Sequence, residues 1–161
     1  MIIRDFKEED LGEVEKIFST YWTDPEFLEE TSRELYKFID QTKEAKRRNY
    51  RFFVAEDRGK VLGIAGMRSA PDHMKVYTKT PDPVEFYISA VKKGHRRKRI
   101  GNTLRVRRLE EAVKLGYTEV VLYSPDSHKE SWIFHDRHGF KRVGPAVAPD
   151  GEPGIIWRKE L

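Results

Sequence analysis

The densest chemistry in the chain lies in one run, Val91-Lys92-Lys93-Gly94-His95-Arg96-Arg97-Lys98-Arg99-Ile100-Gly101-Asn102. The run leaves a strand-like segment and enters a helical one. Amides at a helix start have no intrahelical acceptor, and the helix dipole adds positive potential there. A turn that wraps those N–H groups around one point is an anion cradle, and Gly101 lets backbone approach closely. A pyrophosphate suits such a site. Two other readings compete. A charge run is often only a solvated face. Lys92, Lys93, Arg96 to Arg99, Arg105, Arg107 and Arg108 also suit a nucleic-acid backbone. The nucleic-acid reading is the weaker one, because the rest of the chain is near neutral and no stacking aromatics interleave with the run. A second cluster, His128, His135 and His138, raises a zinc site. His135 and His138 share a helical face, but no third ligand completes the set, so no metal is expected.

These residues need elements to position them. Ile2–Phe6 reads as a strand, followed by a helix over 8–21 with Leu11, Val14, Ile17, Phe18 and Tyr21 at helical spacing. A break at Trp22 to Pro25 precedes a helix predicted over 25–47. Strands over 51–56 and 60–67 flank the turn Asp57-Arg58-Gly59, which makes a hairpin. Residues 70–83, with three prolines, read as a loop. Then follow a strand over 84–91, a helix over 100–115 stopped by Gly116, a strand over 119–123, a helix over 128–138 and strands from 140 and 155. The strand-helix-strand stretch over 84–123 predicts a parallel pair. The expected fold class is α/β (α+β): a mixed sheet with helices on both faces.

Composition narrows the class. The 161 residues suit a single domain over 1–161, and 38% hydrophobic content is enough for a core. There is no cysteine, which excludes disulfides, thiolate metal sites and a cysteine nucleophile. No run of about 18 apolar residues is present, so no membrane partner is expected. The start lacks a basic-then-apolar leader, and a cytoplasmic protein is the expectation. The net charge of +4 is uneven: residues 51–100 hold 12 basic and 5 acidic residues. An anionic partner for the basic run follows. A charged fraction of 36% with no cysteine points to a thermophilic source. The sequence leaves the oligomeric state open, a homodimer included.

The strand-turn-helix around Arg96 resembles the acetyl-CoA site of the GNAT superfamily of N-acetyltransferases. That family carries Arg/Gln-x-x-Gly-x-Gly/Ala after its fourth strand. The six residues here are Arg96-Arg97-Lys98-Arg99-Ile100-Gly101, with Arg99 in place of the glycine. Leu104, Ala112 and Gly116 fit the family helix. Ser131, Phe134, Gly139 and Phe140 fit its later Asn-x-x-Ala/Ser-x-x-Phe/Leu-Tyr/His-x-x-x-Gly-Phe box, with His128 in place of Asn and His135 where Tyr is commonest. Ile2-Ile3-Arg4 and Glu9-Asp10-Leu11 resemble its first strand and helix.

The resemblance implies a mostly antiparallel sheet with a splayed fourth and fifth strand. It also implies direct acetyl transfer from acetyl-CoA, as cosubstrate, to a primary amine on a peptide, a protein or a small molecule. Ser89, Ala90 and Val91 would pair with the pantetheine arm. The amides from Arg96 through Arg97, Lys98, Arg99, Ile100 and Gly101 to Asn102 would hold the pyrophosphate, with His128 and Ser131 also on the cofactor side. Glu85, in Glu85-Phe-Tyr-Ile-Ser-Ala90-Val91, matches the general base of the family's histone acetyltransferases. Some branches instead use a glutamate on the fifth strand, where this chain has Tyr123. His135 would serve as acid to the leaving thiolate, or would only line the coenzyme groove. The acceptor region would offer Tyr21, Trp22, Tyr77 and several aspartates, which suit a cationic amine; core packing is the competing role for Tyr21 and Trp22. A catalytically silent CoA-binding sensor is the alternative function, favoured if Glu85 faces solvent.

Overall fold

A computed structural model describes residues 1–96 and 99–161. Its strands are β1 (Ile2–Asp5), β2 (Arg51–Asp57), β3 (Lys60–Ser69), β4 (Val84–Val91), β5 (Glu119–Pro125), β6 (Lys141–Val147) and β7 (Pro153–Glu160). The helices are α1 (Leu11–Tyr21), α2 (Pro25–Asp40), α3 (Lys43–Arg47), α4 (Ile100–Lys114) and α5 (Glu130–Arg137). The strands form one open seven-stranded sheet in the order β1-β2-β3-β4-β5-β7-β6. The predicted parallel pair is present: Val84 and Glu85 of β4 sit opposite Val120 and Val121 of β5. The β1–β2, β2–β3, β5–β7 and β6–β7 pairs are antiparallel. The fold is the mixed, mostly antiparallel class expected.

The chain divides into two compact units, residues 1–68 with 88–111, and residues 69–87 with 112–161. In the first, alternation along β2 sends Phe52 and Phe53 to opposite faces. Phe38 of α2 meets Phe52 edge-on, with ring centroids 5.6 Å apart. The Arg107 guanidinium of α4 lies 4.4 Å over the Phe53 ring. Helices therefore cover both faces here. Gly63 on β3 permits the α4 approach. A Cβ there would stand 3.1 Å from Ile100 Cγ2 and 3.2 Å from Leu104 Cδ1. In the second unit, β7 does the same. Ile156 packs with Ala70, Met74 and Val121, while Trp157 meets α5 through Trp132 and His135.

Several boundaries differ from the sequence reading. The helix expected over 25–47 breaks at Gln41, whose φ is 51°. Thr42 then caps α3, its hydroxyl accepting from the Ala45 amide at 3.1 Å. Between Ile39 and Arg47 only Ala45 is apolar, so no apolar spacing marks where the helix ends. Glu8–Asp10 and Asp126–His128 are 3₁₀ turns ahead of α1 and α5. Residues 72–77, expected as loop, form a 3₁₀ turn that buries Met74.

Candidate functional site

The end of β4 has two edges with different duties. The Lys92 amide donates to the Leu62 carbonyl of β3 at 2.8 Å. The Ala90 carbonyl points the same way, 3.2 Å from where a Gly63 Cβ would stand. Strand geometry then turns the N–H and C=O of Ser89 and Val91 to the opposite edge. Of the three predicted pantetheine partners, Ser89 and Val91 present main chain outward, and Ala90 spends its carbonyl toward β3.

Past Val91 the chain turns. The His95 amide donates to the Lys92 carbonyl at 3.1 Å, and Gly94 takes φ +85°. Arg97 and Lys98 lie outside the described residues. Arg99 adopts φ 62°, the left-handed region that favours glycine. The resemblance puts a glycine at this position, and the arginine adopts a conformation that glycine favours. Its carbonyl accepts the Thr103 amide at 2.9 Å, which starts α4. The amides of Ile100, Gly101 and Asn102 fall in the first turn, where no helical acceptor exists.

The side chains of this turn are committed elsewhere. Ile100 is buried in the core. The Asn102 carboxamide oxygen accepts from Arg105 Nε at 3.2 Å. Ile100 can offer an anion only its backbone, while Asn102 keeps its side-chain NH₂ as a donor besides its amide. A Cβ on Gly101 would meet nothing closer than Val91 Cγ2 at 3.9 Å, so glycine or alanine fits there, as the resemblance implies.

Tyr21, the last residue of α1, reaches this turn. Its hydroxyl donates to the Val91 carbonyl at 2.5 Å. The Arg96 guanidinium lies 4.8 Å over its ring. Trp22 packs into an aromatic group with Phe18, Tyr21 and Phe27, at centroid distances of 5.8, 6.0 and 5.3 Å. Packing is thus the observed role of Trp22.

The second unit carries the predicted base and acid. Glu85 is 7% exposed, so it is not a solvated charge at a strand start. The loop ahead of it is stapled by Glu119. That carboxylate is 1% exposed and accepts from the Lys79 and Thr80 amides at 3.0 Å each, the Thr80 hydroxyl at 2.9 Å and Arg158 Nε at 2.5 Å. Burial pushes the Glu119 carboxyl up; the Thr80 amide and the Arg158 guanidinium, with the other donors, outweigh it. The group titrates below the usual carboxylate range. Ala70 and Pro83 close the same loop, amide to carbonyl, at 2.9 Å.

His135 sits half-buried on α5. Its ring is edge-on to Trp157 at 5.1 Å and to Phe140 at 6.0 Å. Arg142 lies over the Trp132 and Trp157 rings, at 4.9 and 5.1 Å. The Ser131 hydroxyl donates to the His128 carbonyl at 2.8 Å and shares a hydrogen bond with the Ser124 hydroxyl at 3.1 Å. It joins α5 to the end of β5. Tyr123 donates to the Glu152 carbonyl at 2.7 Å; burial first, then Glu152, Asp150 and Asp126, push its phenol up to about 12. Tyr77 packs on Gly144 and donates to the Pro145 carbonyl at 2.9 Å.

Sequence reasoning missed two roles. Tyr21 and Val91 are 70 residues apart, and nothing in the linear pattern pairs them. Glu119 reads as an ordinary strand start, since its partners lie 39 residues away on either side. Among the described residues, no three His, Asp or Glu side chains gather as a metal-binding group. Nor is any described helix long and apolar enough to cross a membrane.

Solved structures share the whole fold. A GNAT-family protein from Desulfovibrio desulfuricans superposes with a TM-score of 0.82 at 18% identity, covering 99% of this chain and 98% of its own. The PaiA N-acetyltransferase of Thermoplasma acidophilum, solved with coenzyme A, gives 0.69 at 19%, covering 99% and 98%. The ribosomal-protein-alanine N-acetyltransferase of Brucella melitensis gives 0.71 at 20%, covering 100% of both chains. No curated protein sequence matches the chain. The sequence profile of the acetyltransferase (GNAT) family matches residues 13–140, most of the chain and all of α4 and α5. With the family profile matched over most of its length, this chain belongs to the GNAT acetyltransferase family.

Proposed function

We propose that this protein is an N-acetyltransferase that moves an acetyl group from acetyl-CoA to a primary amine of a peptide, a protein or a small molecule. One observation carries the reading. Beside an outward strand edge at Ser89 and Val91, the chain turns through a left-handed Arg99. It then offers the first-turn amides of Ile100, Gly101 and Asn102. A diphosphate is the ligand that geometry suits best. Its fit is supported by Gly101, where a Cβ would meet nothing closer than 3.9 Å, and by Arg96, whose guanidinium stands beside the turn. Arg97 and Lys98 add charge to the same run. His128 and Ser131 are assigned to the cofactor side by resemblance, through the start of α5. The coenzyme A in the Thermoplasma relative supports the choice of donor, and the Brucella relative's name supports a peptide amine as acceptor.

Acetyl-CoA, when bound, supplies an acyl thioester activated for attack. The chain's residues then have three tasks. An ammonium has no lone pair, so Glu85 takes its proton, directly or through a water. Outward main-chain N–H groups near Val91 stabilise negative charge on the acyl oxygen. His135 gives the departing sulfur a proton or a positive neighbour. The burial of Glu85 speaks against the silent-sensor alternative, which wants that carboxylate in solvent.

Thermal unfolding with acetyl-CoA, CoA and duplex DNA separates the readings. We expect a rise in Tm with both coenzyme forms and none with DNA. A rise with DNA alone overturns the assignment. Thiol release with a panel of amines follows; binding without release would leave a coenzyme-binding protein that does not catalyse.

A further inference from the structure

We infer that Tyr21 is a positioning residue for the acyl donor, one that closes the outward edge of β4 and seats the first arginine of the phosphate turn. The inference rests on the proposed function and adds a residue to it. The outward edge ends in two groups, the Val91 N–H and the Val91 C=O. The Tyr21 hydroxyl takes the carbonyl, at 2.5 Å. An extended ligand arm pairing along this edge therefore meets Ser89 and the Val91 amide, and beyond them a carbonyl already engaged. Such an arm must leave the strand at that point, which is where the chain bends toward α4.

The ring does a second job. Its face carries the Arg96 guanidinium at 4.8 Å. An arginine at the edge of a solvent-exposed turn loses side-chain entropy when it meets a phosphate. Held on an aromatic face, it loses less, and the interaction itself is favourable. Tyr21 is held in turn by its place at the last residue of α1 and by the Trp22 ring at 6.0 Å. One side chain thus fixes a strand terminus through its oxygen and a cation through its π face.

The two jobs separate by mutation. Tyr21→Phe removes the hydroxyl and keeps the ring; Tyr21→Leu removes both. The probes are CoA, which has the pantetheine arm, and 3′,5′-ADP, which lacks it and keeps the first phosphate of the coenzyme's diphosphate. Binding is read by calorimetry on the full chain. We expect Tyr21→Phe to weaken CoA about three- to tenfold and leave 3′,5′-ADP within about twofold, by loss of one hydrogen bond. Tyr21→Leu should weaken both, CoA by about tenfold or more. Apo Tm values for each variant report any folding defect, and Tyr36→Phe on the exposed side of α2 is the control. If wild type binds CoA and Tyr21→Phe binds it equally well, the strand-capping role is wrong. If Tyr21→Leu leaves 3′,5′-ADP unchanged, the arginine seat is wrong. If wild type itself does not bind CoA, the fault lies with the proposed function.

Discussion

The turn ahead of α4 and the aromatic nest around His135 are built on opposite principles. The turn is defined by main chain: a left-handed Arg99, a left-handed Gly94 and first-turn amides, with the Ile100 side chain buried in the core. The nest works through side chains: Trp157 and Phe140 pack on one imidazole, and Trp132 and Arg142 pack on Trp157. A main-chain site should tolerate side-chain change that respects its φ and ψ. A side-chain site should not, because a truncated ring leaves a cavity that neighbours refill only in part.

The contrast is testable from its strong end downward. Trp157 is fully buried, so Trp157→Ala should cost about 3–5 kcal/mol of stability. Denaturant unfolding measures it; a loss under about 1 kcal/mol would mean the nest is not a packed unit. Glu85→Gln should slow turnover by about a hundredfold near neutral pH, the usual scale for a lost general base. The defect should shrink as pH rises toward the amine's own pKa, where free amine needs no base. A flat deficit across pH would point to positioning instead.

Glu119 gives a stability prediction with a sign. Its carboxyl is held below the usual range, so its contribution is present above the unfolded value and fades as pH falls through the folded one. Glu119→Gln should lose about 2 kcal/mol at pH 7. The difference from wild type should close toward pH 3; Tm measured across that range decides it. The smallest effect sharpens the other side of the comparison. Arg99→Gly should stabilise the fold by up to about 1 kcal/mol, since glycine adopts φ 62° without steric cost. Coenzyme binding should stay within a few-fold if the amides do most of the holding. A large loss of affinity would transfer that work to the Arg99 side chain.

Much of this was legible in the residues. The β4 strand reads at its observed ends, Val84 to Val91, because a β-rich run sits between Pro83 and the charged turn. The start of α4 at Ile100 and its stop before Gly116 are equally plain, since Gly116 takes φ +91° just past the helix. Departures occurred where a left-handed residue and a new cap divided a polar stretch, as at Gln41 and Thr42, or where a 3₁₀ turn replaced a loop. Arg99 is the instructive case. The sequence shows an arginine in place of a glycine, but not whether the backbone changes with it.

Local order alone determines the order of elements, the parallel β4–β5 pair and the concentration of cation ahead of α4. These follow from spacing and chirality, which act over a few residues. Only tertiary structure decides that Glu85 is buried, that Glu119 gathers two amides, a hydroxyl and a guanidinium, and that the Tyr21 hydroxyl meets the Val91 carbonyl. Each joins groups tens of residues apart. Such contacts are set by how the sheet and helices stack, and no period in the chain encodes them.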